Sequence, residues 1–397
     1  MMRHRAERVH PRASSMPLAR IALTGMLAAT AWAYIGYPAL IAAASRRTRR
    51  RKAPAVASDG GAPPSMTIVV AALNEETVIE AKISDLQDQG YPADRLQIVV
   101  AADGSTDRTQ QIAETLGVET LWESERRGKT SAINRAMQTA TGEVTCLTDA
   151  NCALAPGSLS AVAAHFSDPK VGIVSGAKTV SGSGGRAAGE GLYWRIEAMV
   201  KTAESDLGVT MGAPGELLGI RTSLFRPIPA DIINDDFYLT CDVLDQGYAA
   251  KYAGEALTSE TTADTVRDEF NRRSRIAAGT WQSCLMFARL ASPRRGWLAV
   301  SFLSHRVLRN IAVPAMLPLI WILSRSVRRS SVSGRILDRA QQLAYGAAVV
   351  GLVTDARALA PFSEFLLINA AQLRGGFRWM AGRQTPLWDK PVRSTWA

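Results

Sequence analysis

A chain of 397 residues, 47% of them apolar and with a formal net charge of +10, is long enough for one large domain plus accessory segments and more apolar than most soluble enzymes. The positive charge does not point to nucleic acid, because six basic residues (Arg46, Arg47, Arg49, Arg50, Arg51 and Lys52) directly follow an apolar run, a placement that suits anionic lipid headgroups. The four cysteines fall in no C-x-x-C spacing, which supports neither a zinc site nor a disulfide framework, and the four histidines leave acid–base chemistry to carboxylates.

In chain order, residues 1–20 read as a basic tail and Ile21–Ser45 as a transmembrane helix, since no charge interrupts a stretch long enough for a hydrocarbon core of ~30 Å. A signal peptide is the competing reading, but its apolar core is only ~7–15 residues long. Residues 46–65 form a basic linker rich in Pro, Gly and Ala. From residue 66, Met66–Ala72, Leu96–Ala102 and Val144–Thr148 are short runs rich in Val, Ile and Thr, as strands are. Helical patterns lie between them. One opens at Ser105-Thr106-Asp107, good capping chemistry; another follows Gly128, with Ala132, Ile133, Ala136, Met137 and Ala140 on one face. This alternation predicts an α/β domain with a mostly parallel sheet and helices on both faces, covering 66–285. Residues 286–375 are expected to be transmembrane and interfacial helices: Val307–Ser324 can span with Arg306 and Arg309 at one end, and Gln342–Thr354 suits either a thin span or an interfacial helix. Residues 376–397 read as a C-terminal tail.

Ligands of open parallel sheets bind beyond the carboxyl ends of the strands. There the first strand runs into Asn74-Glu75, the second into Asp103-Gly104-Ser105-Thr106-Asp107, and the Val144 strand into Asp149-Ala150-Asn151. Any one of these is ordinary turn chemistry. Three on successive strand ends point to a polar site at that edge.

The segments AALNEE (71–76), ADGSTDRT (102–109), RRGKTSAIN (126–134), TDAN (148–151), GAPGELLGIR (212–221), NDDFYL (234–239) and RRSRIAAGTWQ (272–282), in that order, resemble the inverting family 2 glycosyltransferases of the GT-A type. The flanking apolar segments are similar to those of that family's membrane-bound branch, which holds exopolysaccharide, cellulose and hyaluronan synthases. The resemblance implies a nucleotide-sugar donor, UDP-linked, with Asp103 on its base or ribose and Asn74 and Glu75 lining the same pocket. It places Asp149 and Asn151 at the D-x-D position, where a divalent cation (Mg or Mn) bridges to the diphosphate; both side chains supply the oxygen ligands such an ion takes. Asn151 stands in for the second acid. Asp235-Asp236 matches the catalytic acidic pair, with Asp236 as general base. Adjacent carboxylates in a pocket repel, which raises one pKa toward neutrality. Gly212, Gly215 and Gly219 match an acceptor-side loop, where small residues let the backbone approach a sugar.

Lys129, near a helix N-terminus, is a candidate for phosphate charge, though spacing alone suits a surface lysine equally well. Arg272 and Arg275 fall where polymerising members read Q-x-x-R-W. Arg275 keeps the arginine for the departing diphosphate, but Arg272 replaces the glutamine and Ile276 the tryptophan, with Trp281-Gln282 further on as a substitute platform or simply core. The expectation is therefore a membrane-bound, cytosol-facing inverting transferase acting on a saccharide or lipid acceptor, in cell-envelope or exopolysaccharide synthesis. A processive synthase and an inert sugar-nucleotide-binding scaffold are the alternatives. A methyltransferase also uses an acid after its second strand, but has no use for Asp149 and a distant acidic pair.

Overall fold

The computed structural model describes residues 15–51, 61–181, 185–212, 215–261, 265–328 and 331–387, so most of the basic tail (1–14), part of the linker (52–60) and the end of the C-terminal tail (388–397) lie outside the described residues. The three expected β-branched runs become strands, β1 Met66–Ala72, β2 Leu96–Asp103 and β4 Val144–Asp149, and a strand the sequence pattern did not mark, β3 Glu119–Glu123, joins them; all four are parallel, in the order β3-β2-β1-β4. Beyond β4 the sheet continues with strands the sequence pattern left unassigned. These are β5 (Ala153–Leu154), β6 (Val171–Ser181), β7 (Leu218–Arg221) and β8 (Ala249–Thr261), and they complete the order β4-β7-β6-β8-β5. β7 is antiparallel to both neighbours, while β6 and β8 pair in parallel.

Alternate side chains along the strands feed two cores. Ile68 and Val70 face Ile79, Ile83, Leu159 and Val162, whereas Val69 and Val99 face Ile133, Ala136, Leu239 and Val243. Those partners belong to helices on opposite faces of the sheet, the doubly covered arrangement expected.

The long N-terminal helix consists of α1 (Ser15–Ala31), a π-helical turn at Trp32–Gly36 and α2 (Tyr37–Arg51). Within the domain lie α3 (Ile79–Gln87), α4 (Thr109–Thr115), α5 (Lys129–Thr139), α6 (Ser158–Ala164), α7 (Gly185–Leu207), α8 (Asp235–Asp245) and α9 (Val266–Met286). A second long helix follows, made of α10 (Trp297–Ser301), π-helical Phe302–Ala312 and α11 (Val313–Val327), and then α12 (Val332–Thr354) and α13 (Ala360–Met380). Among the described residues two helices, Leu18–Arg50 and Trp297–Val327, are long and apolar enough to cross a membrane. They meet through Leu23 on Ile320 and Val327. On α12, Leu343 is 75% and Val353 81% exposed, apolar side chains left uncovered among the described residues.

The long helices are fastened to the domain by buried polar groups. His305 lies between Glu197 at 3.0 Å and Glu204 at 2.8 Å, both on α7, and the Tyr37 hydroxyl donates to Glu204 and lies 3.0 Å from the Ser301 hydroxyl. α13 packs against α9 along Gly375 and Gly376, where an added Cβ would meet Ala277 at 2.6 Å and the Trp281 ring. Trp281 is thus a packing residue of this seam, not a sugar platform. After α13, Pro386 and Leu387 return to the sheet edge, with Leu387 against Gly128.

Candidate active site

Because β1, β2 and β4 are parallel and in register, Glu75, Asp103 and Asp149 emerge at one edge of the sheet, and a cavity of about 390 Å³ opens there. Asp103, the last residue of β2, is 4% exposed. Its Oδ2 accepts the backbone N–H of Arg127 at 3.0 Å and of Gly128 at 2.6 Å, and Arg135 lies 3.3 Å from Oδ1. The carboxylate therefore shapes the loop that starts α5 as well as lining the cleft. Gly104 follows at φ 71° with its Cα against Arg126, where no side chain fits. Asn74 departs from expectation: at φ 53° it turns toward the β2 loop, its backbone N–H donating to Ser105 at 3.1 Å and its Oδ1 accepting from Thr106 at 2.9 Å. It ties the two loops together, while its neighbour Glu75 lines the cleft.

Lys129, the first residue of α5, reaches across to Asp149 Oδ1 at 2.9 Å and Asp235 Oδ2 at 3.2 Å. Burial acts to lower the pKa of this ammonium, but Asp149, Asp235 and Asp236 outweigh it and hold the group charged well above its usual range. The surface-lysine reading is thereby overturned. Asn151 lines the cleft beside Asp149.

The acidic pair opens α8. Asn234 caps the helix by accepting the Phe237 N–H at 3.4 Å, so Asp235 and Asp236 occupy the first turn. Burial, and then the charge of Asp235, push the Asp236 carboxyl well above the ordinary carboxylate range, with Lys129 opposing. Asp236 Oδ1 is buried without a hydrogen-bond partner among the described residues. Gln282 of α9 steadies the approach to this turn, donating to the Asp231 carbonyl at 2.9 Å and accepting the Ile233 N–H at 3.0 Å.

The three glycines separate. Gly212 and Gly215 line the cleft, but the space beside them is filled by protein: an added Cβ would meet the Lys201 side chain at one and the Asp236 carboxylate at the other. Gly219 lies inside β7, opposite Cys146 of β4 and Val174 of β6, and a Cβ there would stand 2.8 Å from Val162 and 3.2 Å from Phe166. It is a core residue and not part of an acceptor loop, because the second half of GAPGELLGIR is a strand. Arg272 and Arg275 both reach the cleft from α9, as does Ile276. Arg272 also pairs with Glu269 at 2.9 Å; there burial raises the Glu269 pKa, but Arg272 and Arg273 outweigh it and lower it to about 2.

The walls also include groups that the sequence reading did not place in the site. Lys178 and Glu216 form a buried pair at 2.6 Å, while Arg306 comes from the π-helical Phe302–Ala312 and Gln372 from α13. Glu216 lies within a quoted motif and was within reach of the sequence; Gln372 carries no local signal, since only the docking of α13 brings it here.

As for a divalent ion, the donor set fits one shared with a diphosphate: Asp149 is 36% exposed in its side chain and Asn151 adds an amide oxygen, while no group of three or more carboxylate, imidazole or thiol side chains among the described residues converges to hold an ion alone.

A parallel half-sheet ending in acids, a mixed extension and an acidic pair on a helix facing a cationic loop define the GT-A-like α/β fold with a cleft at the strand ends. Residues 67–228 match the family model described as glycosyl transferase family 2. The chain is 27% identical over 238 residues to a probable glycosyltransferase of Bacillus subtilis, covering 54% of this chain and 55% of the relative. It is 24% identical over 273 residues to the beta-monoglucosyldiacylglycerol synthase of Synechocystis, covering 63% and 56% respectively. The chain thus spans about half the length of the curated relatives it matches. A solved mannosyltransferase of Pyrobaculum calidifontis, in complex with GDP-mannose and Mn²⁺, superposes with a TM-score of 0.71 at 26% identity, covering 91% of this chain and 100% of that one.

Proposed function

We propose that this chain is a membrane-bound inverting glycosyltransferase that moves one sugar from a nucleotide-sugar, UDP-linked by the sequence resemblance, to a lipid or saccharide acceptor at the cytosolic membrane surface. The observation that carries the reading is Asp236: a carboxylate with a raised pKa and an unpartnered oxygen, set at the cleft beside a lysine that bridges Asp149 and Asp235. A base near neutrality is what deprotonation of an acceptor hydroxyl requires. Lys129 and Arg275 supply fixed positive charge for the leaving diphosphate, and Asp103 holds the Arg127–Gly128 backbone where the donor enters. Asp149 and Asn151 would hold a divalent ion, whose chemistry when bound is to neutralise diphosphate charge.

A lipid acceptor is supported by the names of the glycolipid-synthase relatives and by the walls of the cleft, since Arg306 belongs to the helix Trp297–Val327 and Gln372 to α13. Single transfer is favoured over polymerisation because Ile276, not an aromatic ring, lines the cleft at the position of the Q-x-x-R-W tryptophan. The test is a screen of UDP- and GDP-sugars for hydrolysis and for transfer to membrane lipid extracts, with and without Mn²⁺. Release of nucleoside diphosphate from no donor would refute the reading.

A further inference from the structure

The turn that leads into β7 carries a carboxylate for which the proposed transfer has so far given no role. Leu147 of β4 pairs with Leu218 of β7 in antiparallel register, so two residues further on in β4 and two residues earlier before β7, Asp149 and Glu216 arrive together. Thr148 Oγ1 fixes this by donating to the Glu216 carbonyl at 2.7 Å. On the other side, Gly215 lies flat against the Asp236 carboxylate. Glu216 therefore stands between the residue at the diphosphate end of the cleft and the base.

Its two carboxylate oxygens are unequal. Oε1 takes Lys178 Nζ at 2.6 Å, in a pair whose side chains are only 9% and 7% exposed. Oε2 is buried, belongs to a residue lining the cleft, and has no hydrogen-bond partner among the described residues. A buried carboxylate oxygen left unpaired is strongly unfavourable, so a ligand that completes it gains affinity from doing so. Lys178 already balances the charge, and among the described residues no ion-binding group of three such side chains forms here, so the missing partner is a neutral donor rather than a cation. In the proposed transfer, the moiety between leaving diphosphate and base is the sugar itself, whose outward groups are hydroxyls.

We infer that Glu216 Oε2 accepts a hydrogen bond from a hydroxyl of the transferred sugar, and that the Lys178–Glu216 pair is the element that selects the donor sugar. The inference rests on the nucleotide-sugar reading above. Lys178, on β6, holds the carboxylate in place from the strand next to β7. Because a hydroxyl is read by direction as well as presence, the pair would discriminate between epimers that differ at that carbon.

The experiment compares a sugar-bearing ligand with the same ligand lacking its sugar. Titration calorimetry on the full-length, detergent-solubilised protein measures affinities for UDP, UDP-glucose, UDP-galactose, GDP and GDP-mannose. For the best-bound donor, Glu216→Ala is expected to weaken nucleotide-sugar binding about 10- to 100-fold, the scale of a hydrogen bond to a charged group, while the matching nucleoside diphosphate changes less than threefold. Glu216→Gln, which keeps an acceptor oxygen, is expected to lose less and to show a reduced preference between glucose and galactose. Equal weakening of both ligands in a Glu216→Gln protein that melts like the wild type would overturn the assignment, as would no change in either. A wild-type protein that binds none of the five ligands refutes the donor reading itself, a result distinct from either of these.

Discussion

Replacing Asp236 by Asn removes a proton acceptor while keeping the shape of the side chain. If Asp236 is the base, turnover should fall by about 10²–10⁴-fold, equivalent to about 3–5 kcal/mol of transition-state stabilisation, with donor affinity altered less than a few-fold. The same substitution should raise stability, for a reason visible in the cleft. Burial and the Asp235 charge lift the folded-state pKa of Asp236 above its unfolded value. Each unit of lift favours the protonated form by about 1.4 kcal/mol. A group raised in this way contributes its full stability below the unfolded pKa, about 4, and loses it as pH rises through the folded pKa. Asparagine mimics the neutral acid at every pH. The variant should therefore melt with the wild type below about pH 4, gain on it as pH rises, and hold a constant advantage above the elevated pKa. Stopped assays of donor turnover paired with melting curves across pH read both effects. Near wild-type turnover would move the base to Asp235, and a variant that melts lower than wild type at neutral pH would refute the picture of a strained carboxylate.

Other expectations are equally direct. Excess chelator should abolish donor turnover and Mn²⁺ should restore it, because Asp149 and Asn151 offer too few ligands to retain an ion against competition; full activity in chelator refutes the metal role. Gly219→Ala should cost about 1–3 kcal/mol of stability by overpacking against Val162 and Phe166, while kcat and acceptor KM in the folded fraction stay unchanged; a selective rise in acceptor KM would restore Gly219 to the acceptor loop. A high-salt wash should leave the protein in the membrane fraction, since burial of the Leu18–Arg50 and Trp297–Val327 helices in lipid is not screened as headgroup attraction is.

β1, β2 and β4 were legible because they are runs rich in Val, Ile and Thr ending in polar turns, and they fall within a residue of where the pattern puts them; the edge strand β3, Glu119–Glu123, carries no such run and was not marked. The second half of the sheet was not legible. β7 hides in a glycine-rich motif that reads as a loop, and its strand character comes from pairing with β4 and β6 rather than from its own residues. Site residues divide in the same way. The placing of Asp103, Asp149 and Asp236 at the cleft, at strand ends or a helix start, was readable because local structure fixes their direction. Asn74 and Gly219 were misplaced because a side chain's facing depends on φ and on sheet neighbours that no motif records. Lys129 was left open between surface and site, and only its two carboxylate partners resolve it.

The seam between α9 and α13 bears on how the molecule can be divided. The sequence invites a cut near residue 285, where the α/β pattern ends, yet Gly375 sits so close to Ala277 and Ala278 that the two helices share one surface. Arg273 adds an ion pair to Glu364 at 3.0 Å, and Arg374 donates to Asn271 at 2.7 Å. α9 carries Arg272 and Arg275, and α13 carries Gln372, so one wall of the reaction chamber stands on a helix that lies beyond the apolar segments. A shortened chain ending at 285 would expose the apolar flank of α9 and leave the chamber open on that side. The cleft and the helices that follow the α/β domain are therefore one packed unit, and any tilt of α13 reaches the arginines of the cleft through a glycine contact with no slack.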